Sequence, residues 1–201
     1  MPFIAVVIPN IRQEEKDNFL ASWPTAVAAM KANPLVQGVS GGLIVGENGA
    51  PVTDFKFMEI IAFQTLEDSK AFSDSDYIKE AMKKYEAFVA GPAQSDLFEV
   101  PEPPQTAPSP LTVVTYTTID DESKEPEVLK AWEAASALIG KKAFGGKTAV
   151  PDGPRMGIAM VGWESKEEME AAVADPETKA AWDYYNSLGK IRNLVVKLEN
   201  Y

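Results

Sequence analysis

Three features of the sequence predict an α+β fold in which two βαββαβ repeats close into a barrel within one chain. The chain matches itself block by block across its midpoint. Each half orders its elements as strand, helix, strand, turn, strand, helix, strand. A Pro-rich segment, PEPPQTAPSP at 101–110, separates residues 1–100 from residues 111–201 and reads as a semi-rigid linker.

The internal match has a definite register. Leu20-Ala21-Ser22-Trp23 precedes Leu129-Lys130-Ala131-Trp132 by 109 residues, and the same spacing sets FIAVVI beside TVVTYT. Gly41-Gly42 and Asn48-Gly49 precede Gly145-Gly146 and Asp152-Gly153 by 104 residues. AFQTLEDSKAF precedes GWESKEEMEAA by 100 residues, which places Tyr85 opposite Tyr185.

Residues 3–8 and 111–119 are rich in Val, Ile and Thr and read as first strands. Apolar residues at three- and four-residue spacing predict helices over 14–32 and 126–139. Asn48-Gly49 and Asp152-Gly153 are strong hairpin signals, so the second and third strands of each half should be antiparallel neighbours. Residues 67–89 and 165–188 supply a second helix in each half, and SDLFEV and NLVVKLE the closing strands. This order makes a four-stranded antiparallel sheet with both helices on one face, a ferredoxin-like arrangement. Its other face is apolar and bare, and the second copy is the nearest cover.

GKKAFGGKT, residues 140–148, superficially spells a phosphate-binding loop. Such a loop needs four residues between its first glycine and the Gly-Lys pair, with a strand before and a helix after. Here five residues intervene and the element order is reversed. The glycines recur in GVSGGLIV, so they belong to the architecture: a bulge, a bend, or a close approach of two backbones.

Composition excludes several chemistries. The 201 residues include no cysteine and no histidine, which removes thiolate nucleophiles, disulfides, the commonest general base and the usual proximal ligand of haem. No metal site is expected. Nineteen basic against 30 acidic residues give a net charge of −11, which argues against nucleic acid as a partner. No apolar run approaches the length of a membrane span, and the start of the chain lacks the pattern of a secretory signal, so a cytoplasmic location is expected.

GWESKEEMEAAVADPE, with Trp163 ending a strand before a short amphipathic helix, and KANPLVQGVSGG resemble the corresponding stretches of the dimeric α/β barrel superfamily, in particular the antibiotic biosynthesis monooxygenase (ABM) domains. The resemblance spans both halves and implies a fused pseudo-dimer, monomeric or a homodimer. It also implies a cofactor-independent enzyme that oxygenates or cyclises a small aromatic or polyketide-like compound. A non-catalytic small-molecule carrier and a stress-type barrel protein are the alternatives.

Asn10, at the end of the first strand, falls where some ABM domains carry an asparagine that holds substrate or oxygen; the competing reading is a turn residue. Glu59 interrupts the apolar strand FKFMEIIAF, and its counterpart is Ala159. Desolvated beneath the helices or inside the barrel, it would act as a base near neutrality; at a strand edge or barrel mouth it would pair with a cation. Tyr116 stands out in a polar first strand of threonines and is the third catalytic candidate. Trp23, Phe57, Phe63, Trp132 and Trp163 either line a pocket for a flat aromatic ligand or fill the core, and Arg155 either binds a carboxylate or phenolate at a pocket mouth or is a solvated surface arginine. The polarity difference between the halves suggests that one keeps a pocket and the other has become scaffold.

Overall fold

The computed structural model describes residues 1–101, 110–149 and 155–200. Most of the Pro-rich linker and the Asp152-Gly153 turn lie outside the described residues. The first half runs β1 (Phe3–Ile8), α1 (Lys16–Ala32), β2 (Val36–Glu47), β3 (Ala50–Pro51), β4 (Phe57–Phe63), α2 (Leu66–Ser73), α3 (Asp76–Tyr85) and β5 (Gln94–Glu99). The second runs β6 (Leu111–Ile119), α4 (Glu125–Leu138), β7 (Ala143–Thr148), β8 (Arg155–Trp163), α5 (Lys166–Ala174), α6 (Pro176–Ser187) and β9 (Lys190–Asn200).

Eight strands pair antiparallel in the order β2-β4-β1-β5-β7-β8-β6-β9, and β9 pairs back onto β2 to close a barrel; β3 is a two-residue appendage of β2. Strand alternation then sorts side chains into layers. Ile4, Val6, Met58, Ile60, Phe98, Val114, Leu194 and Val196 point inward and form one continuous core. Phe3, Phe57, Ile61 and Phe63 point outward and are covered by Phe19, Trp23, Val27 and Met30, the buried stripe of α1. Each such large side chain removed from water contributes roughly 1.5–3 kcal/mol.

Asn48 and Gly49 both have positive φ, at 49° and 80°, the geometry of the tight turn expected from an Asn-Gly pair. This hairpin also reaches the other half: the Asn193 N–H donates to Asn48 Oδ1 at 2.9 Å, and the Asn48 N–H donates to the Asn193 carbonyl at 2.8 Å.

The second helix expected in each half is two helices. Ser75 caps α3 after α2 ends at Ser73, and its Oγ accepts the Ile78 N–H at 3.3 Å. In the second half Pro176 cannot continue a preceding helix, so Asp175 turns extended and caps α6. The periodic pattern runs through both breaks because each pair of helices covers the same sheet.

The first-strand alignment at 109 residues also shifts by one. Val7 lies across from Glu59, whereas Thr115 lies across from Ala159, so the strands correspond at 108. One residue reverses the faces of a strand. Tyr116 therefore points into the barrel core, against Phe98.

The second glycine of each double-glycine pair marks a seam between halves. A Cβ on Gly42 would collide with the Lys197 carbonyl on β9, and a Cβ on Gly146 would collide with the Glu99 carbonyl at the end of β5. Replacing Gly42 by Ala should therefore destabilise the fold by about 3 kcal/mol. At Gly38 a Cβ would meet only Ala62, at 3.8 Å, and the same replacement should stay within about 1 kcal/mol of neutral. Urea unfolding of both variants tests this, and equal midpoints for the two would rule out the close approach as the reason for Gly42.

Candidate functional site

The outer layers of the two halves start from matching strands and end differently. In the first half, Trp23 lies 5.0 Å from Phe57 between ring centroids, and Phe19 lies 5.2 Å from the same ring. Gly41 makes this possible, since a Cβ there would overlap the Trp23 indole. The layer is filled by aromatic carbon.

In the second half the residues at the corresponding places are small. Registers across the sheet put Gly145 opposite Ala159, as Gly41 is opposite Glu59, and Gly157 takes the place of Phe57. Trp132 finds its ring partners on α6 and not on the sheet. It packs instead within its own helix layer, 5.5 Å from Trp182 and 5.7 Å from Tyr185. Trp182 corresponds to Met82, which is exposed in the first half. A cleft of about 690 Å³ results, a size that suits a drug-sized ligand.

Its buried walls are Val100, Val128, Ile158 and Ala159, with Gly145 and Gly157 opening the floor. Two buried hydroxyls interrupt this apolar lining: Thr117 Oγ1 and Tyr185 Oη share a hydrogen bond in which either can donate. Burial pushes the Tyr185 phenol up, against an opposing effect of the Thr117 hydrogen bond, so it stays protonated at neutral pH. Leu129, Glu133, Lys147 and Arg155 form an exposed rim. Arg155 is held by Glu122 at 2.8 Å and by Glu125 at 3.3 Å.

Among the residues singled out from sequence, Trp132 and Arg155 meet in this cleft. The others do not line it. Trp23, Phe57 and Phe63 are buried in the first-half layer, and Trp163 is buried at the end of β8 with the Lys141 ammonium 5.7 Å from its ring centre. Asn10 is exposed after β1, and its carbonyl accepts the Ala90 N–H at 2.7 Å. Tyr116 lies inside the barrel, where burial pushes its phenol up; its hydroxyl has no partner among the described residues.

Glu59 faces the first-half helices. Among the described residues it forms no ion pair, and burial pushes its carboxyl up to about 7. The phenols of Tyr77 and Tyr85 on α3 are raised in turn, first by burial and then by the Glu59 charge, Tyr85 to about 12. Glu59 and the cleft thus occupy different layers of the molecule.

Thr117, Tyr185 and Gly157 line the cleft without having been candidates for it, and Lys147 and Thr148 of GKKAFGGKT, set aside as a phosphate loop, line it too. The contrast between Phe57 and Glu59 on β4 and Gly157 and Ala159 on β8 was the available signal: a difference in side-chain volume. Among the described residues no cluster of acidic side chains is placed to hold a metal, and no helix is long and apolar enough to cross a membrane.

No protein-family profile matches the chain, and no curated protein matches it in sequence. Solved structures do match in fold. An anthrone oxidase-like protein superposes with a TM-score of 0.67 at 15% identity, covering 99% of this chain and 93% of its own. A candidate monooxygenase from Fusobacterium nucleatum gives 0.66 at 12% identity, covering 99% and 94%. A chlorite dismutase from Candidatus Nitrospira defluvii gives 0.57 at 12%, covering 97% and 89%. At these identities the likeness is one of fold alone.

The Glu59 carboxyl makes a pH prediction. Its folded pKa of about 7 lies above the ordinary carboxylate value of 4.5, so the folded state holds a proton that the unfolded state has released. Stability should therefore fall as pH rises from about 4.5 to about 7 and then level off, a loss on the order of 3 kcal/mol. Glu59→Gln should remove this contribution and gain stability relative to wild type above pH 7. Urea unfolding at pH 5 and pH 8 measures the difference; the same pH dependence in both proteins would show that Glu59 is not its source.

Proposed function

We propose that the chain is a cofactor-independent, monooxygenase-like enzyme that acts on a small aromatic or polyketide-like compound held in the second-half cleft. The observation that carries this reading is the selective emptying of one layer: Gly157, Ala159 and the turned-away Trp132 leave a cleft where the first half is filled by Phe57 and Trp23. The shared fold with an anthrone oxidase-like protein supports it.

Oxygenation of this kind requires a substrate acidic enough to lose a C–H proton and electron-rich enough to reduce oxygen itself. The protein then has three tasks: hold the ring, exclude water and accept one proton. The apolar walls and Trp132 serve the first two. Glu133 and Glu125 on the rim are the cleft's candidate proton acceptors. We also read the chain as a duplicated pair, monomeric or a homodimer; the shared order of strands in the halves supports the duplication.

Anthrone is a suitable probe: with one O₂ it yields anthraquinone and one water. Oxygen uptake is expected with anthrone or a related quinol. Gly157→Phe, whose Cβ has ordinary contacts of 3.8 Å or more, should plug the cleft and reduce the rate at least about tenfold, while Glu59→Gln should leave it unchanged. Absence of uptake across a panel of anthrones, quinols and phenols would reject the enzymatic reading.

A further inference from the structure

We propose that the Thr117–Tyr185 hydroxyl pair is the polar anchor of the second-half cleft and makes it selective for an uncharged, flat molecule bearing a ketone oxygen. The proposal rests on the reading of this cleft as the ligand site.

Both residues are 3% exposed, and both line the cleft. Between them they carry two hydroxyl protons, and their mutual hydrogen bond uses one. The other remains available to donate. Around it the buried lining is apolar, from Val100, Val128, Ile158 and Ala159. A ligand without an acceptor leaves that donor desolvated and unpaired, whereas a ketone oxygen accepts it and brings no extra proton that would need a partner.

The buried walls disfavour a charged ligand, because their apolar side chains cannot neutralise one. At the mouth, Glu99, Glu125 and Glu133 are matched by Lys147, Arg155 and the Met1 amino group, and Arg155 is already engaged by Glu122 and Glu125. The two signs balance there and favour neither an anion nor a cation. Flatness follows from Trp132, which Trp182 braces at an interplanar angle of 70°.

The test compares two compounds with one ring framework, anthrone and 9,10-dihydroanthracene, which lacks the ketone. Equilibrium dialysis under argon prevents turnover. Wild-type protein should hold anthrone at least about tenfold more tightly, the worth of one buried hydrogen bond. Either hydroxyl alone can still donate, so the decisive variant is Thr117→Val with Tyr185→Phe, which should bring the two compounds within about twofold. Equal binding by wild type, or a tenfold preference kept by the double variant, would overturn the anchor while leaving the cleft as a ligand site. Binding of neither compound would overturn the cleft reading and the anchor with it. The wild-type comparison decides the matter without the variants should the double replacement fail to fold.

Discussion

Everything else in the molecule depends on the closure of the barrel at the two places where strands from different halves meet. An open four-stranded sheet would expose both an apolar face and unpaired edges. Closure joins β2 to β9 and β5 to β7, and each join requires a backbone to come closer than a side chain allows. Gly42 and Gly146 meet that requirement. The repeated double glycine is therefore a mark of assembly: its first residue faces the helices, and its second faces the strand of the other half.

A polar network reinforces the longer seam. Glu47 on β2 accepts from Lys56 at 2.7 Å and from Arg192 on β9 at 2.8 Å, and Arg192 also donates to Gln94 at 2.7 Å. The Lys56 hydrogen bond, then Arg192, hold the Glu47 carboxyl below its ordinary value. One guanidinium thus ties together β2, β5 and β9. Placed at the surface, such a cluster adds register and direction to a closure that apolar burial drives.

The barrel was legible in the sequence because strand alternation is a strong pattern and because FIAVVI and its neighbours left an apolar face with nothing but the other half to cover it. The helix breaks were not, since Ser75 and Asp175 interrupt the chain without interrupting the apolar stripe. Tyr116 shows how little separates two readings: a shift from 109 to 108 in the strand alignment carries its ring from the helix side to the barrel interior. The cleft was legible in kind, as a difference between halves, and illegible in place. Its location depends on where Trp132 turns, which Trp182 and Tyr185 decide from a helix more than forty residues further along the chain. Side-chain volume at Gly157 and Ala159 was in plain view, but its meaning required knowing that no neighbour leans in.

The hairpin contact between Asn48 and Asn193 spans 145 residues, as does the Glu47–Arg192 ion pair. Contacts of that separation raise the contact order and slow folding, because a long stretch of chain must be ordered before they form. During synthesis, β2 is made well before β9 exists to receive it. Until then its outer edge stays unpaired and the inward face of the first sheet stays wet, held only by the aromatic layer under α1. Every buried member of the cluster around Phe19, Trp23 and Phe57 lies between Phe3 and Phe72, so the early half has an apolar core that does not have to wait for the late one.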